Sequence, residues 1–346
     1  MIETRAPGKL FIVGEYAVVE PGEPAVLVAV DRYLRVRLTE LPAQSAANPE
    51  SMSDHVHAAT RAIDELRRER GLPERFFSIE TESELDEADG RKYGLGSSAA
   101  VTVAAIEALD KLYGLGLSAL ERFKLALLAT IEISPKASGG DLAASTFGGW
   151  VRYTSPDRDA LRLHREAHGI TSTLESELWQ GYHLRRLPAP ADLRLLVGWT
   201  GSPASTEALV SRAAAGADAA DSEFLAASRA CADALCGALL GTTLKGSTET
   251  ALTAIRQART LLLKFGEDRG TVIETEMLTA LCDSAEQHGA VAKSSGAGGG
   301  DCGIALAPRG SDIEGILREW QKLGITPLNL EVAAGSPGAE GDADER

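Results

Sequence analysis

Three apolar segments near the start of the chain predict the strands of a sheet. Leu10–Val13 is a short apolar run, Ala25–Val30 is apolar throughout, and Tyr33–Leu38 alternates between apolar and polar residues. Continuous apolar runs are typical of strands covered on both faces, whereas alternation is typical of a strand with one exposed face. The pattern therefore predicts a central strand beside a half-exposed one, in a sheet of mixed strand direction.

Helical periodicity dominates much of the remaining chain. Residues 54–70 have apolar positions at helical spacing and end before Gly71-Leu-Pro73, and Ser118–Ile133 has the same pattern behind a favourable capping serine. A strand is predicted at Leu193–Trp199, and three further helices follow between residues 222 and 288. The second half of the chain is therefore predicted to carry its own helical layer.

A proline-rich change in composition after Leu187 predicts a domain boundary. The chain is expected to form two domains, residues 1–187 and residues 188–334. The last segment, residues 335–346, is charged and contains glycine, so it is expected to be a disordered tail.

The composition is that of a globular protein whose anionic ligands need local positive charge. The chain has 346 residues, of which 44% are hydrophobic, and its 35 Lys and Arg against 50 Asp and Glu give a net charge of −15. This balance disfavours non-specific binding to nucleic acid or to an anionic membrane. No apolar run reaches the roughly 20 residues of a membrane span, and the N-terminus lacks the apolar core of a signal peptide. A cytoplasmic protein is expected, with its four cysteines reduced and buried.

A glycine-serine turn in residues 91–100 predicts an anion site. Gly94 and Gly96 allow positive φ and close backbone approach, and Ser97 or Ser98 is expected to cap the helix that follows. Unpartnered N–H groups in the first turn of a helix, together with the helix dipole, bind phosphate, and a neighbouring serine hydroxyl can bind Mg²⁺. The alternative is a simple helix cap after a tight turn.

Two charged residues in glycine-rich surroundings are candidates for catalysis. Lys9 follows the turn Pro7-Gly8 and is expected at the mouth of the first strand, where it is either a solvated edge charge or a group that reaches into a cleft. Asp141 follows Ser138-Gly-Gly140 at a helix start, where it is either an N-cap or a group beside a bound ligand.

Two further loops have the composition of ligand-binding segments. Residues 200–206 are rich in hydroxyl groups and follow a strand, so they suit either a helix cap or a second substrate. Residues 292–302 contain four glycines and an aspartate before a buried strand, which predicts close approach of the backbone to another group.

Three of these segments resemble, in order and spacing, the three motifs of the GHMP kinase superfamily. They are Pro7–Tyr16, Gly94–Ala100 and Lys293–Cys302. Within the superfamily, the segments around Tyr16, residues 138–150 and residues 199–206 look most like those of bacterial phosphomevalonate kinases. The resemblance implies an α+β fold of two domains, the first like domain 2 of ribosomal protein S5 and the second ferredoxin-like, with the active site between them.

The same resemblance implies a reaction. The γ-phosphoryl group of ATP would be transferred, with Mg²⁺, to the phosphate of the small molecule phosphomevalonate, by a monomer or homodimer. Such transfer depends on charge neutralisation, and a phosphate acceptor needs little help from a base. Lys9 and Lys92 are therefore expected to offset repulsion between the phosphates, and Asp141 to orient Lys9 and the metal.

The resemblance also carries over site residues. It implies Lys9 and Asp141 as catalytic residues and Ser98 as the metal ligand. The implied nucleotide-binding residues are Lys92, Gly94, Leu95, Gly96, Ser97, Ser98 and Ala99. The implied acceptor-binding residues are Lys9, Tyr16, Ser138, Gly139, Ser202, Ser205, Thr206, Ser295, Gly296, Ala297, Gly298 and Asp301.

Two alternatives stay open, and one position departs from the pattern of the family. Mevalonate kinases have a metal-binding glutamate upstream of the aspartate, but the matching place here is near Thr130, and Glu132 is offset from it. The first alternative is a mevalonate kinase or a related kinase that acts on a hydroxyl. Such an enzyme would bind its acceptor without needing a phosphate on it. The second is a non-catalytic metabolite sensor, which the presence of Lys9, the serine pair and Asp141 disfavours.

Overall fold

The first half of the chain forms a five-stranded sheet. The computed structural model describes residues 1–42, 52–87, 89–202, 209, 220–242 and 246–335. All strand pairs that these residues form in the first sheet are antiparallel, so the predicted mixed direction is wrong. The strand order is β1-β2-β4-β5, and β3 pairs with the second half of β2. The strands are β1 (Ile2–Val13), β2 (Pro24–Leu41), β3 (Phe76–Ser83), β4 (Trp150–Thr154) and β5 (His183–Leu187).

The first two strands are longer than the sequence pattern indicates. The turn predicted at Pro7-Gly8 is a shift of register inside β1, and the two strands predicted between Ala25 and Leu38 are one continuous strand. Proline lacks an N–H group for the ladder, so it is tolerated at such an irregularity. Lys9 consequently lies within β1, paired with Ala29, and not at the mouth of a strand.

Helices pack against this sheet. The predicted helices at residues 54–70 and 118–133 are confirmed, and Ser118 forms a capping box with Glu121. The second helix of this half of the chain is buried almost all round and packs against β1 and β2. The helices are α1 (Asp54–Glu69), α2 (Ser97–Tyr113), α3 (Ala119–Ile133), α4 (Gly140–Phe147), α5 (Arg158–His168) and α6 (Ile170–Glu175), with short 3₁₀ turns at Ala17–Val19 and Glu177–Gly181.

The second half forms a four-stranded antiparallel sheet with order β7-β8-β6-β9. The predicted strand at Leu193–Trp199 and the three predicted helices are confirmed within a few residues. The strands are β6 (Leu193–Trp199), β7 (Val291–Ser294), β8 (Cys302–Pro308) and β9 (Thr326–Leu328), and the helices are α7 (Ala220–Leu239), α8 (Ser247–Asp268), α9 (Glu276–Gln287) and α10 (Ile313–Lys322).

The C-terminal segment returns to the first sheet after β9. Val332 forms a bridge with Val30, and Ala334 forms one with Gly148. β9 therefore ends at Leu328, because Val332 and Ala334 pair with β2 and with the residue pair just before β4 instead of the second sheet. The division into residues 1–187 and 188–334 stays a prediction, and residues 336–346 of the predicted tail lie outside the described residues.

All four cysteines are buried and free, as predicted. No helix within the described ranges is long and apolar enough to cross a membrane.

Candidate active site

The motif Gly94–Ala100, the predicted phosphate loop, has the backbone conformation that an anion site needs. Gly94 and Gly96 have φ of 80° and 82°, and Gly96 is the N-cap of α2 in the left-handed conformation. The prediction that Ser97 or Ser98 caps this helix is wrong, since both serines already lie in its first turn and no side chain caps it. Uncapped N–H groups at a helix N-terminus are free to bind phosphate oxygens.

The same loop leaves room for Lys9 only because it contains glycine. A Cβ atom at Gly96 would lie 2.8 Å from Cε of Lys9, and one at Gly94 would lie 2.5 Å from Cβ of Asp301. The backbone N–H of Lys9 also donates to the carbonyl of Leu95 at 2.8 Å. The loop is therefore packed directly on β1 and on the end of residues 292–302, which form the third glycine-rich segment.

Lys9 and Asp141 come together beneath this loop. Nζ of Lys9 lies 3.5 Å from Oδ2 of Asp141 and 3.5 Å from the carbonyl oxygen of Gly94. The lysine side chain is only 8% exposed and the aspartate 35%, so water screens the pair only in part. The arrangement places one positive and one negative charge at the mouth of the phosphate loop.

Asp141 owes its position to a glycine. Gly139 is the N-cap of α4 with φ of 86°, and Asp141 is the second residue of the helix, so the reading of Asp141 as an N-cap is wrong. A Cβ at Gly139 would meet the hydroxyl of Tyr153 at 2.6 Å. Oγ of Ser138 accepts from the N–H of Gly140 at 3.3 Å. Asp141 therefore lies in the first turn of α4, where the helix dipole and a negative charge attract each other.

The third glycine-rich segment is joined to β1 by side chains. Oγ of Ser295 accepts from the N–H of Phe11 at 3.0 Å and donates to the carbonyl of the same residue at 3.0 Å. The hydroxyl of Tyr16 donates to the carbonyl of Ala297 at 2.5 Å. Burial, with a smaller contribution from Glu15, raises the pKa of Tyr16, so this phenol stays a donor. Both hydroxyls that were expected to bind the acceptor thus already hold the backbone.

A buried ion pair between Glu15 and Lys293 fastens the same two segments. Nζ of Lys293 donates to a carboxylate oxygen of Glu15 and, at 2.6 Å, to the carbonyl of Ser294. Both side chains are at most 2% exposed. Neither residue was predicted from the sequence as part of the site, although two charged residues within otherwise apolar or small-residue motifs were a usable signal.

The start of the hydroxyl-rich loop meets the phosphate loop. The ring of Trp199, at the end of β6, lies edge-on to Tyr93 at 5.1 Å and beneath the guanidinium of Arg91 at 5.0 Å. The N–H of Asp301 donates to the carbonyl of Ser202 at 2.8 Å. Ser205 and Thr206 lie outside the described residues, so their expected role stays a prediction.

The remaining predicted ligands are less closely assembled. Lys92 and Ser98 are exposed, and Lys92 pairs with Asp86 through the backbone. Gly296 has φ of 83°, with open space where a side chain would be, which leaves its face accessible. Around Gly298 and Gly300 the glycines instead allow contact with the backbone of Ile273 and Ser202.

The metal-binding prediction fits a small donor set. Over the described ranges, no group of three or more His, Cys, Asp or Glu side chains could hold a metal ion. Glu132 pairs with Arg61 at 2.8 Å and with Arg165 at 3.5 Å, so it is not available to the site. Thr130 is buried, and its hydroxyl has no partner among the described residues. A hydroxyl and one carboxylate, from Ser98 and Asp141, suit Mg²⁺ that takes its other ligands from phosphates and water.

An uncapped helix N-terminus beside a buried lysine and a helix-bound aspartate is equipped for phosphoryl transfer. Residues 57–149 match the family model described as GHMP kinases N terminal domain, and residues 245–326 match that of GHMP kinases C terminal. The chain therefore belongs to the GHMP kinases, and the predicted α+β fold of this family is confirmed.

Among the GHMP kinases, the chain is similar to several individual enzymes. A phosphomevalonate kinase of Streptomyces sp. (strain CL190) is 43% identical to this chain, in an alignment that covers 96% of this chain and 97% of that protein. A mevalonate kinase of Arabidopsis thaliana is 26% identical over 94% of this chain and 95% of its own length. Among solved structures, the Streptococcus pneumoniae phosphomevalonate kinase in complex with phosphomevalonate and AMPPNP matches with a TM-score of 0.85 and 28% identity, covering 96% of this chain and 100% of that one.

Proposed function

We propose that this chain transfers the γ-phosphoryl group of ATP to the phosphate of (R)-5-phosphomevalonate, giving 5-diphosphomevalonate and ADP in the mevalonate route to isoprenoids. The observation that carries the proposal is the 43% identity to the Streptomyces phosphomevalonate kinase along nearly the whole of both chains. The likeness to the Streptococcus pneumoniae phosphomevalonate kinase in complex with phosphomevalonate and AMPPNP supports the same donor and acceptor.

The charges at the site suit a phosphate acceptor. Two phosphate groups repel each other strongly in a cleft with little water, and a net charge of −15 gives the chain no general attraction for them. Lys9 is buried within 3.5 Å of the carbonyl oxygen of Gly94 in the phosphate loop. It is the group that would offset this repulsion and stabilise the charge that develops during transfer.

Asp141 has an orienting role in this proposal. A phosphate acceptor is largely ionised at neutral pH, so no group has to remove a proton from it. The carboxylate, 3.5 Å from Nζ of Lys9, holds that ammonium group in place. Asp141 and Ser98 would also hold Mg²⁺, which when bound neutralises the phosphates of ATP.

The site residues and the cellular setting follow from this proposal. The N–H groups of residues 96–99 are assigned to the ATP phosphates, because this helix start is uncapped. The acceptor is assigned to the space near Ser138, Gly139 and Gly296. A kinase that depends on ATP fits the cytoplasmic location expected from the sequence, and a monomer or homodimer remains the predicted assembly.

An ADP-release assay with phosphomevalonate and mevalonate in parallel tests the proposal. We expect kcat/KM for phosphomevalonate to exceed that for mevalonate by about 10²-fold or more, because the site is arranged for an ionised acceptor. Preference for mevalonate would establish the hydroxyl-acceptor alternative. Nucleotide binding without turnover of either acceptor would establish the sensor alternative.

A further inference from the structure

Arg158 carries a positive charge at a place that disfavours one. It is the first residue of α5, directly after the N-cap Asp157, whose side chain accepts from the N–H of Ala160 at 2.9 Å. The N-terminal end of a helix is already positive, so a cation in this turn is unfavourable. Burial lowers the pKa of the guanidinium, although Tyr153 and nearby acidic residues act in the opposite direction.

No close ion pair compensates this position. Within the part of the chain that the structure describes, no carboxylate oxygen lies within 4.0 Å of the nitrogens of Arg158. The Nε group is buried and has no hydrogen-bond partner there. A half-buried arginine with these costs is expected to have a specific task.

The guanidinium spans two separate turns of the backbone. One terminal nitrogen donates to the carbonyl of Ala137 at 3.1 Å, and the other donates to the carbonyl of Val19. These two residues are far apart in the sequence and belong to different connections of the fold. The planar guanidinium presents donors in a fixed geometry, so it can hold both carbonyls at a defined separation, which a single ammonium cannot do.

Both turns lead directly into the candidate active site. Val19 ends the short helical turn that follows Tyr16, and the hydroxyl of Tyr16 holds the third glycine-rich segment at Ala297. Ala137 precedes Ser138-Gly139, from which α4 starts and brings Asp141 to Lys9.

The second turn, at residues 137–138, is also held by two hydroxyl groups. The carbonyl of Ser138 accepts from the hydroxyl of Tyr153 at 2.7 Å and from that of Ser155 at 3.0 Å. Arg158 acts in addition on the residue before it, and it alone among these three side chains also reaches the Val19 turn. Its contribution is therefore the distance between the two turns.

We propose that Arg158 is a positioning residue for the acceptor, which sets the separation of the Val19 and Ala137 turns on either side of the acceptor-binding part of the cleft. The inference rests on the proposed function. ATP is expected to be affected little, because its phosphates are assigned to the start of α2, which Arg158 does not contact through any hydrogen bond recorded among the described residues.

Steady-state kinetics of Arg158→Gln and Arg158→Lys test the proposal. We expect both variants to raise KM for phosphomevalonate about tenfold, the effect of losing a hydrogen bond from a charged group, with KM for ATP changed less than twofold. Arg162→Gln is the matched control, since Arg162 lies one turn later on the same helix and forms an exposed pair with Glu166 at 2.7 Å. It should leave both KM values unchanged.

Each outcome bears on the proposal. A wild-type KM for phosphomevalonate in Arg158→Lys would show that charge alone is needed and overturn the spanning role, and an equal rise of both KM values would reduce Arg158 to general stability. Thermal unfolding is measured first, and if Arg158→Gln does not fold, the Lys variant decides through calorimetric binding of phosphomevalonate. Failure of the unaltered chain to turn over phosphomevalonate overturns the proposed function, whereas normal turnover with unchanged variants overturns only this inference.

Discussion

The phosphate loop and the third glycine-rich segment have similar compositions but different structures. In the phosphate loop, the glycines make room for Lys9 and leave the N–H groups of α2 without a side-chain cap. In the third segment, Gly298 and Gly300 allow tight packing on other backbone segments, whereas Gly296 faces open space. Ser295 and Tyr16 then hold this segment on β1 and on the turn that follows it.

The difference separates two uses of glycine. A glycine before a helix start can expose donors for a ligand, whereas a glycine within a fastened loop lets two backbones approach. We therefore expect substitutions in the phosphate loop to act mainly on ligand binding. Substitutions in the third segment should act mainly through the contacts that hold it to β1.

The largest effect is expected from Gly96→Val. The backbone at this position has a φ of 82°, which valine rarely adopts, and a Cβ there would lie 2.8 Å from Cε of Lys9. The loop and the lysine must therefore both move. We expect kcat/KM to fall by about 10³-fold, with weaker AMPPNP binding in calorimetry. Gly296→Ala is the control from the third segment, because it has similar strain but open space, and it should cost about tenfold or less. Equal losses in the two variants would contradict the comparison.

The ion pair that fastens the third segment should dominate stability. Lys293→Met leaves the carboxylate of Glu15 buried without its partner, so we expect a loss of about 3–5 kcal/mol in the free energy of unfolding by urea. Glu15→Gln in the same chain removes the second charge and should restore a large part of this loss. A single variant that loses less than about 1 kcal/mol would show that the pair is not a fastening element.

Removal of the buried lysine should reduce turnover without unfolding the chain. Lys9→Met takes away a preorganised charge beside the phosphate loop, and we expect kcat to fall by about 10²-fold. The unfolding midpoint is the control, since methionine fills most of the same space. A kcat within threefold of that of the unaltered chain would remove Lys9 from the proposed mechanism.

Asp141→Asn distinguishes orientation from proton transfer. Because a phosphate acceptor needs no base, we expect a loss of about tenfold in kcat that varies little with pH. A loss of about 10²–10⁴-fold that recovers as pH rises would identify Asp141 as a general base and favour a hydroxyl acceptor. The pH profile of kcat from pH 6 to 9 gives the answer.

The smallest effect is expected from Tyr16→Phe, which removes one hydrogen bond to the third segment. We expect a loss of about 1 kcal/mol in unfolding free energy between pH 7 and pH 9. Burial raises the pKa of Tyr16 in the folded state above the value of 10.0 for an exposed tyrosine. Its ionisation above that pH therefore favours the unfolded chain, so the advantage of Tyr16 over phenylalanine should shrink as pH rises beyond 10. A constant difference up to pH 11 would contradict this assignment.

Much of the local structure could be predicted from the sequence. The boundaries of α1 and α3, the cap at Ser118, the burial of the cysteines and the positive φ at Gly94 and Gly96 depend on neighbouring residues, and all are observed. Errors occurred where pairing overrides a local signal. Pro7-Gly8 has the composition of a turn, but the long ladder with β2 keeps these residues in a strand.

The sequence by itself determined the family, the phosphate loop and the identity of the charged residues, because these depend on motifs in which neighbouring residues act together. Only the tertiary structure decided which of those residues meet. Lys9 and Asp141 come from β1 and α4, and Glu15 and Lys293 are 278 positions apart. Whether a hydroxyl is free for a ligand or engaged with backbone, as in Ser295, depends on atoms from a distant segment. Residue spacing carries no information on such contacts, because the distance between two residues far apart in the sequence is fixed by chain folding and side-chain packing.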